Sequence, residues 1–293
     1  MREIRTILYP TDFSPCAEKA FGHAILLAKA FGSRLILFHA VVLYQEGVHF
    51  PGASERLEEL YASLEARARA NLPDAGDVEV DKVVARGVSA AEEILGFAKQ
   101  TPVDLIVMGT HGRGELAQLF LGSVTERVIR GACCSVLTVR SEAKPLQPDM
   151  GYRRIVLSVD FSEDCRGAAS WVRALSRRFG SEVHFVHVVE DSIHPAYFAT
   201  GRTSIRELIP DVVEKSEQAM GRLAEEAGFS RSEIAKVVLE GKPSSEIARY
   251  CGEIGADLLC VGARGMSGLD SGLLGSTAER LVRKAPCAVL VAR

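Results

Sequence analysis

The sequence predicts an α/β fold made of two tandem doubly wound domains, each with a parallel sheet covered by helices on both faces. Short apolar segments rich in β-branched residues alternate strictly with segments of helical periodicity. The strand segments are apolar throughout, which is typical of parallel sheets that lie between two helix layers. The same order of segments occurs twice along the 293 residues, so the fold class applies to each copy.

The internal repeat is visible when the chain is aligned with itself. Residues 5–41 align without a gap on 153–189, and residues 104–140 align on 257–293 with 16 identities in 37 positions. Between the two copies lies a polar segment that contains two prolines, as extended linkers do. We therefore predict a first domain at 1–142, a linker at 143–151 and a second domain at 152–293.

The elements of each copy follow from local patterns. In the first copy, Ser14 precedes Pro15 at the start of a helical pattern that Gly32 ends, which is the usual order of cap, first-turn proline and terminal glycine. Segments in which charged residues alternate with apolar residues at helical spacing predict further helices at 54–71, 90–99 and 123–130. Apolar runs predict strands at 4–9, 34–42, 78–85, 103–108 and 135–139, and in the second copy at 155–159, 182–189, 235–239, 258–261 and 288–291.

Composition and charge exclude several classes of protein. Apolar residues make up 47% and charged residues 25%, which excludes a disordered or collagen-like chain. No apolar run reaches the roughly 18 residues that a membrane helix needs, and the first residues lack the apolar stretch of a signal peptide, so we expect a cytoplasmic protein without a membrane partner. A net charge of −3 argues against general nucleic-acid binding. Seven cysteines without a CxxC spacing predict reduced, mostly buried thiols and no metal site.

The first and fourth strands of each copy lead to the candidate ligand site. In doubly wound sheets, ligands bind beyond the carboxyl ends of the strands where the strand order reverses. Asp12 and Asp160 stand just after the first strand of their copies, each in an Asp-Phe-Ser sequence. Because Ser14 can cap the following helix alone, a capping role and a ligand contact for Asp12 remain open.

After the fourth strand, both copies carry the same glycine pattern. It consists of two glycines separated by two residues, then nine residues, then Gly-Ser at the start of a helix. A helix N-terminus offers unpaired N–H groups and a positive dipole end, and glycine lets a phosphate approach the backbone closely. The pattern therefore indicates a phosphate site, and a flexible turn with an ordinary serine cap is the alternative.

Charged and aromatic residues near these positions have two interpretations each. Arg113 and the equivalent pair His111 and Arg264 are candidate phosphate donors or solvated loop residues. His39 and His187 end the second strand of their copies, and we predict packed, hydrogen-bonded histidines rather than bases because no nucleophile is near in sequence. The chain lacks a P-loop sequence, so P-loop ATPases are excluded.

Taken together with the sequence Ala-Pro-Cys-Ala-Val-Leu-Val at 285–291, these motifs resemble those of the universal stress protein family. Both copies match, so the chain resembles the tandem members over nearly its whole length. The resemblance implies a five-stranded parallel sheet in the order 3-2-1-4-5 in each copy. It also implies that ATP, with or without Mg²⁺, is the ligand, since the glycine pattern is that of the ATP-binding branch.

The resemblance also implies which residues contact the nucleotide. The two aspartates would contact the nucleoside, the ends of the second strands would line the adenine pocket, and the glycine pattern with its serine would surround ribose and phosphates. With Arg113, these implied residues are Asp12, Ala40, Val41, Gly109, Gly112, Gly122 and Ser123 in the first copy and Asp160, Val188, Val189, Gly262, Gly265, Gly275 and Ser276 in the second. Asp270 adds negative charge near the second phosphate position.

In this family the fifth strands pair to make dimers, and a tandem chain can make that dimer internally. The resemblance thus implies an intramolecular pseudo-dimer in which residues 136–139 face 289–291, with a further homodimer and an unknown protein partner left open.

Three functions are compatible with these patterns. The first is an ATP-binding stress-response or regulatory protein. The alternatives are a slow ATPase or nucleotidyl-transfer enzyme and a nucleotide-independent interaction module. Because no general base stands at a motif position, the sequence favours nucleotide binding over turnover, with at most weak hydrolysis and no catalytic residue.

Overall fold

The chain divides into two compact units, Met1–Gly151 and Tyr152–Arg293. The computed structural model describes residues 3–42, 59, 62, 78–111, 121–144, 146, 151–190, 211–230, 232–265 and 274–293. Apart from residues 59 and 62, the predicted helix at 54–71 lies outside the described residues, as do the site candidates Gly112 and Arg113 and the charged Asp270.

The first unit is a parallel sheet with helices in the connections. Its elements are β1 (Thr6–Pro10), α1 (Pro15–Phe31), β2 (Arg34–Val42), β3 (Val80–Gly87), α2 (Ala90–Gln100), β4 (Leu105–Gly109), α3 (Ser123–Gly131) and β5 (Ser135–Val139). The strand order is β3-β2-β1-β4-β5, and each pair is parallel. The predicted α/β class and the order 3-2-1-4-5 are confirmed for this unit.

The second unit repeats the arrangement. Its elements are β6 (Arg154–Val159), α4 (Glu163–Phe179), β7 (Glu182–Val189), α5 (Val212–Glu226), β8 (Ile234–Glu240), α6 (Pro243–Ile254), β9 (Leu258–Gly262), α7 (Ser276–Lys284) and β10 (Ala288–Ala292). Its strands are again parallel, in the order β8-β7-β6-β9-β10. The predicted order is confirmed here as well.

The residues at the two ends of α1 determine where this helix begins and ends. The Ser14 hydroxyl accepts a hydrogen bond from the Ala17 amide, Pro15 occupies the first helical position, and Gly32 ends the helix with a φ of 65°. Ser162 and Gly180 do the same for α4. Glycine adopts this left-handed conformation without a steric penalty, which explains why it ends both helices. The helix start at Ser14 and the helix end at Gly32 are confirmed, and the second unit has the same caps.

The central strands form the core of each unit. In β1, Ile7, Leu8 and Tyr9 are fully buried. The predicted strand at 4–9 starts two residues too early, because Thr6 is the first residue paired with β2 and the Arg5 amide instead donates to the Asp104 carboxylate at 2.7 Å. In the part of the chain that the structure describes, no helix is long and apolar enough to cross a membrane.

Candidate functional site

A cavity of about 410 Å³ opens at the carboxyl edge of the first sheet, beyond β1, β2 and β4. Five residues that the sequence predicted for this site line it, namely Asp12, Ala40, Gly109, Gly122 and Ser123. Val41, the next residue of β2, is not among the lining residues, and its contact with a ligand stays a prediction. The cavity therefore lies where the sheet topology predicts a ligand.

The turn from β1 to α1 holds Asp12 at the cavity. Phe13 adopts a positive φ of 62°, which is rare for a bulky residue. The turn is closed by two local hydrogen bonds, since the Ser14 amide donates to Asp12 Oδ1 at 3.1 Å and the Phe13 amide donates to the Thr11 hydroxyl at 3.0 Å. Ser14 caps the helix, and the Asp12 carboxylate instead shapes the turn beside the cavity.

His39 forms part of the cavity wall and is itself firmly held. Its Nδ1 lies 2.7 Å from the Thr11 carbonyl oxygen and therefore donates a hydrogen bond to it. The imidazole also packs against the Phe13 ring, with 4.8 Å between ring centroids. In the second unit, His187 contacts the Val159 carbonyl and the Phe161 ring in the same way, so the predicted packed histidines are confirmed in both copies.

The start of α3 explains the third glycine of the motif. Gly122 is the N-cap residue and Ser123 the first helical residue, and no side chain within the described part of the chain caps the helix, so the alternative of a serine cap is wrong. The Gly122 amide donates to the Thr110 carbonyl at 2.9 Å, and a Cβ at Gly122 would lie 2.9 Å from that same oxygen. Only glycine fits this approach, and the amides of the first helical turn lie beside the cavity without a capping side chain from the residues that the structure describes.

The first glycine of the motif serves packing. A Cβ at Gly109 would lie 3.0 Å from the carbonyl carbon of Cys16, and one at Gly262 would lie 3.0 Å from that of Asp164. Both glycines therefore let the end of a strand pass close to the first turn of α1 or α4. The contact of these two glycines with a ligand stays a prediction.

The second unit brings together the equivalents of the first site. Asp160 Oδ1 accepts hydrogen bonds from the Ser162 amide at 3.0 Å and from its hydroxyl at 2.6 Å. A Cβ at Gly265 would lie 3.3 Å from Asp160 Oδ2, and one at Gly275 would lie 3.5 Å from the Gly265 amide nitrogen. Ser276 begins α7 behind Gly275, whereas Val188 and Val189 lie at the end of β7 and stay predicted contacts.

The two units differ at the residue that follows the fourth strand by two positions. In the first, His111 Nδ1 lies 2.7 Å from the Thr110 hydroxyl, and its Nε2 is buried without a hydrogen-bond partner within the described part of the chain. In the second, the Arg264 guanidinium donates to both carboxylate oxygens of Asp164, through Nε to Oδ2 at 3.0 Å and through Nη2 to Oδ1 at 2.8 Å. Hydrogen bonding by Arg264 lowers the pKa of Asp164 below its ordinary value. Arg264 thus forms an ion pair with Asp164.

Several lining residues were not predicted from the sequence. Thr11, Ile94, Met108 and Thr125 belong to the cavity wall, and the Thr125 hydroxyl donates to the Gly109 carbonyl at 2.9 Å. Ile94 lies on the apolar face of α2, and Met108 lies near the carboxyl end of β4, so periodicity and topology together could have indicated them. Among the described residues, no group of three or more His, Cys, Asp or Glu side chains is placed to hold a metal ion.

Comparison with known proteins points to one family. The family model of the universal stress protein family matches residues 3–140 and again 151–293. A universal stress protein of Methanocaldococcus jannaschii is 34% identical over 48% of this chain and 82% of its own length. A second, from a Synechocystis strain, is 24% identical and covers 99% of this chain and all of its own length. The crystal structure of a universal stress protein from Archaeoglobus fulgidus superposes with a TM-score of 0.69 at 20% identity over 98% of both chains, which shows the shared fold.

Proposed function

The chain belongs to the universal stress protein family, and from that premise we propose that it is a regulatory protein that binds ATP at the carboxyl edge of its first sheet. The observation that carries the proposal is the cavity of about 410 Å³, which ends at the N-terminus of α3, where no described side chain caps the helix. A cavity of this size is within the range of small-molecule sites, and free amides at a helix N-terminus favour a phosphate.

The proposed orientation of ATP follows from the hydrogen-bonding groups on each side of the cavity. At α3, the amides that follow Gly122 receive the phosphates, with the Ser123 hydroxyl as a further donor. At the opposite side, Asp12 accepts hydrogen bonds from the ribose, and Ala40 leaves room for the adenine near the His39 ring. Gly112 and Arg113 would continue the phosphate site. In the second unit, Asp160, Gly265, Gly275 and Ser276 take the corresponding places.

The side chains of His39 and Asp12 favour binding of ATP without rapid hydrolysis. His39 is held by the Thr11 carbonyl and the Phe13 ring, and the Ser14 amide donates to Asp12. Groups held in this way orient a ligand, and neither is set to activate water. We therefore propose that ATP acts as a bound effector in a stress response.

The substitution Gly122→Ala tests the site. A new methyl group would come 2.9 Å from the Thr110 carbonyl oxygen, so the start of α3 must shift relative to that carbonyl. We expect at least about a tenfold loss of ATP affinity, because the amides no longer converge on the phosphates. The measurement is calorimetric titration with ATP, preceded by extraction and identification of nucleotide from the purified protein.

Gly22→Ala is the matched control for this substitution. Gly22 lies inside α1, and nothing lies within 4 Å of an added Cβ, so the variant is expected to bind ATP normally. The proposal is refuted if the wild-type protein neither retains nor binds ATP, or if Gly122→Ala binds it as tightly as Gly22→Ala. Sustained phosphate release from ATP by the wild-type protein would support the enzymatic alternative instead.

A further inference from the structure

The Arg264–Asp164 ion pair is the clearest chemical difference between the two copies. Three hydrogen bonds join the residues, because Asp164 Oδ2 also accepts from the Arg264 amide at 2.9 Å. The Asp164 side chain is 7% exposed, whereas that of Arg264 is 48% exposed. A nearly buried carboxylate with a bidentate guanidinium partner is a specific, oriented contact rather than a chance surface pair.

The first copy has no counterpart of this pair. Cys16 stands at the position of Asp164, and its thiol contacts the Val139 carbonyl oxygen at 3.2 Å. His111 stands at the position of Arg264 and lines the cavity instead of contacting the first turn of α1 through its side chain. The carboxylate and the guanidinium therefore occur together only in the second copy.

The backbone of Arg264 lies beside the candidate phosphate position of the second unit. The Arg264 carbonyl oxygen lies 3.3 Å from the Ser162 hydroxyl oxygen, and a Cβ at Gly275 would lie 3.7 Å from Arg264 Cα. Arg264 thus stands between the turn that carries Asp160 and the start of α7. Its guanidinium is the cation nearest in sequence to the second glycine of the motif, and Asp164 engages its Nε and Nη2 donors.

From this geometry we infer that Asp164 withholds Arg264 from an anionic ligand and so makes the second nucleotide site weaker than the first. The inference rests on the proposed function, because it concerns the affinity of the same class of site for a triphosphate. A phosphate that approaches the Arg264 guanidinium must either break its two hydrogen bonds to Asp164 or face an ion pair with no net charge. When the carboxylate is neutralised, the guanidinium becomes free to pair with the phosphate.

The decisive variant is Asp164→Asn in the full-length chain. It keeps the size of the side chain and removes its charge, and we expect the weaker of two ATP sites to gain about tenfold or more in affinity. Calorimetric titration of the Gly122→Ala background, in which the first site is impaired, reports the second site alone. A gain in affinity is a result that mere damage to the fold would not produce, and urea unfolding of each variant checks that the fold is kept.

Glu163→Gln is the matched control, since it removes the same charge from the same helical turn at an exposed residue whose charge acts on Arg264 more weakly than that of Asp164. It is expected to leave both affinities unchanged, and Arg264→Gln combined with Asp164→Asn is expected to abolish the gain. Two sites of equal affinity in the wild-type protein, or no gain on Asp164→Asn, would overturn the inference and leave the proposed function standing. If neither the wild-type protein nor Asp164→Asn binds ATP, both fail.

Discussion

Phe13 and Phe161 adopt the same unusual backbone conformation at the same turn of their units. Both have a φ of 62°, and each ring packs on a histidine, His39 in the first unit and His187 in the second. A left-handed conformation costs an ordinary L-residue about 1–2 kcal/mol. The turn thus holds a strained residue where an aspartate and an aromatic pair lie at the edge of the sheet. Backbone strain of this kind is found at ligand sites.

The strain at Phe13 predicts that glycine is a more stable replacement than alanine there, the reverse of the usual order. Phe13→Ala and Phe13→Gly both lose the ring contact with His39, but only glycine adopts a positive φ without strain. We expect the glycine variant to be more stable than the alanine variant by about 1 kcal/mol in urea unfolding.

The same pair of substitutions at Phe97 provides the control. Phe97 lies inside α2 and packs on Phe38, so alanine is expected to be the more stable replacement there by about 1 kcal/mol. If glycine is not favoured at Phe13, the turn does not carry the strain that its backbone angles imply.

At the scale of single residues, the sequence predicts what is local and misses what is distant. Gly122 directly precedes a predicted helix, which indicates its place at the helix start. Ser14 directly precedes Pro15, which indicates its role as a helix cap. The pair of Asp164 with Arg264 was not predicted, because the partners lie 100 residues apart and only the folded sheet brings them together. The same holds for Thr11 and Thr125 in the cavity wall.

At the scale of elements, the link between α4 and β8 is an example of a contact that depends on pH. Glu233 precedes β8, and its carboxylate accepts hydrogen bonds from the Ser230 amide at 2.6 Å and from Arg173 of α4 at 2.9 Å. The Arg173 guanidinium also lies 4.6 Å from the centre of the Phe229 ring. These bonds, that of the Ser230 amide first, lower the pKa of Glu233 to about 2.

The lowered pKa predicts a pH-dependent contribution to stability. Since the folded pKa is about 2 and the ordinary value is 4.5, the contribution is complete above about pH 4.5 and is lost as the pH falls towards 2. Glu233→Gln is therefore expected to lower the free energy of unfolding at neutral pH, and the difference from wild type should vanish near pH 2.

Urea unfolding at a series of pH values measures this difference, with Glu190→Gln as a control that changes an exposed carboxylate elsewhere in the unit. A difference between wild type and Glu233→Gln that stays constant across the acid range would contradict the assignment.

The elements themselves were largely predictable from the sequence. Their signals are local, and the bounds of β2 and β5 agree with the predicted ranges. The predicted start of β4 is two residues early, because Val103 belongs to the apolar run but pairing with β5 begins only at Leu105. Strand bounds depend on the neighbouring strand, which an apolar run alone does not reveal.

At the scale of the whole molecule, duplication gives two similar units in which the chemistry has diverged. Both keep the strand order, the strained phenylalanine and the histidine at the end of the second strand. They differ where His111 and Cys16 of one unit correspond to Arg264 and Asp164 of the other. The two units therefore share a backbone arrangement and carry different charges at the same edge of the sheet.

The pairing of the two copies within one chain stays a prediction from the family resemblance, and cleavage of the linker tests it. A protease site inserted in the segment 143–151 allows the chain to be cut between the two compact units, Met1–Gly151 and Tyr152–Arg293. If the fifth strands of the copies pair, the backbone groups at these sheet edges are satisfied, and separating the halves would expose them. We therefore expect the cut halves to co-elute in size-exclusion chromatography at the mass of the intact 31.7 kDa chain. Elution as two species of about half that mass would show that the copies are tethered by the linker alone.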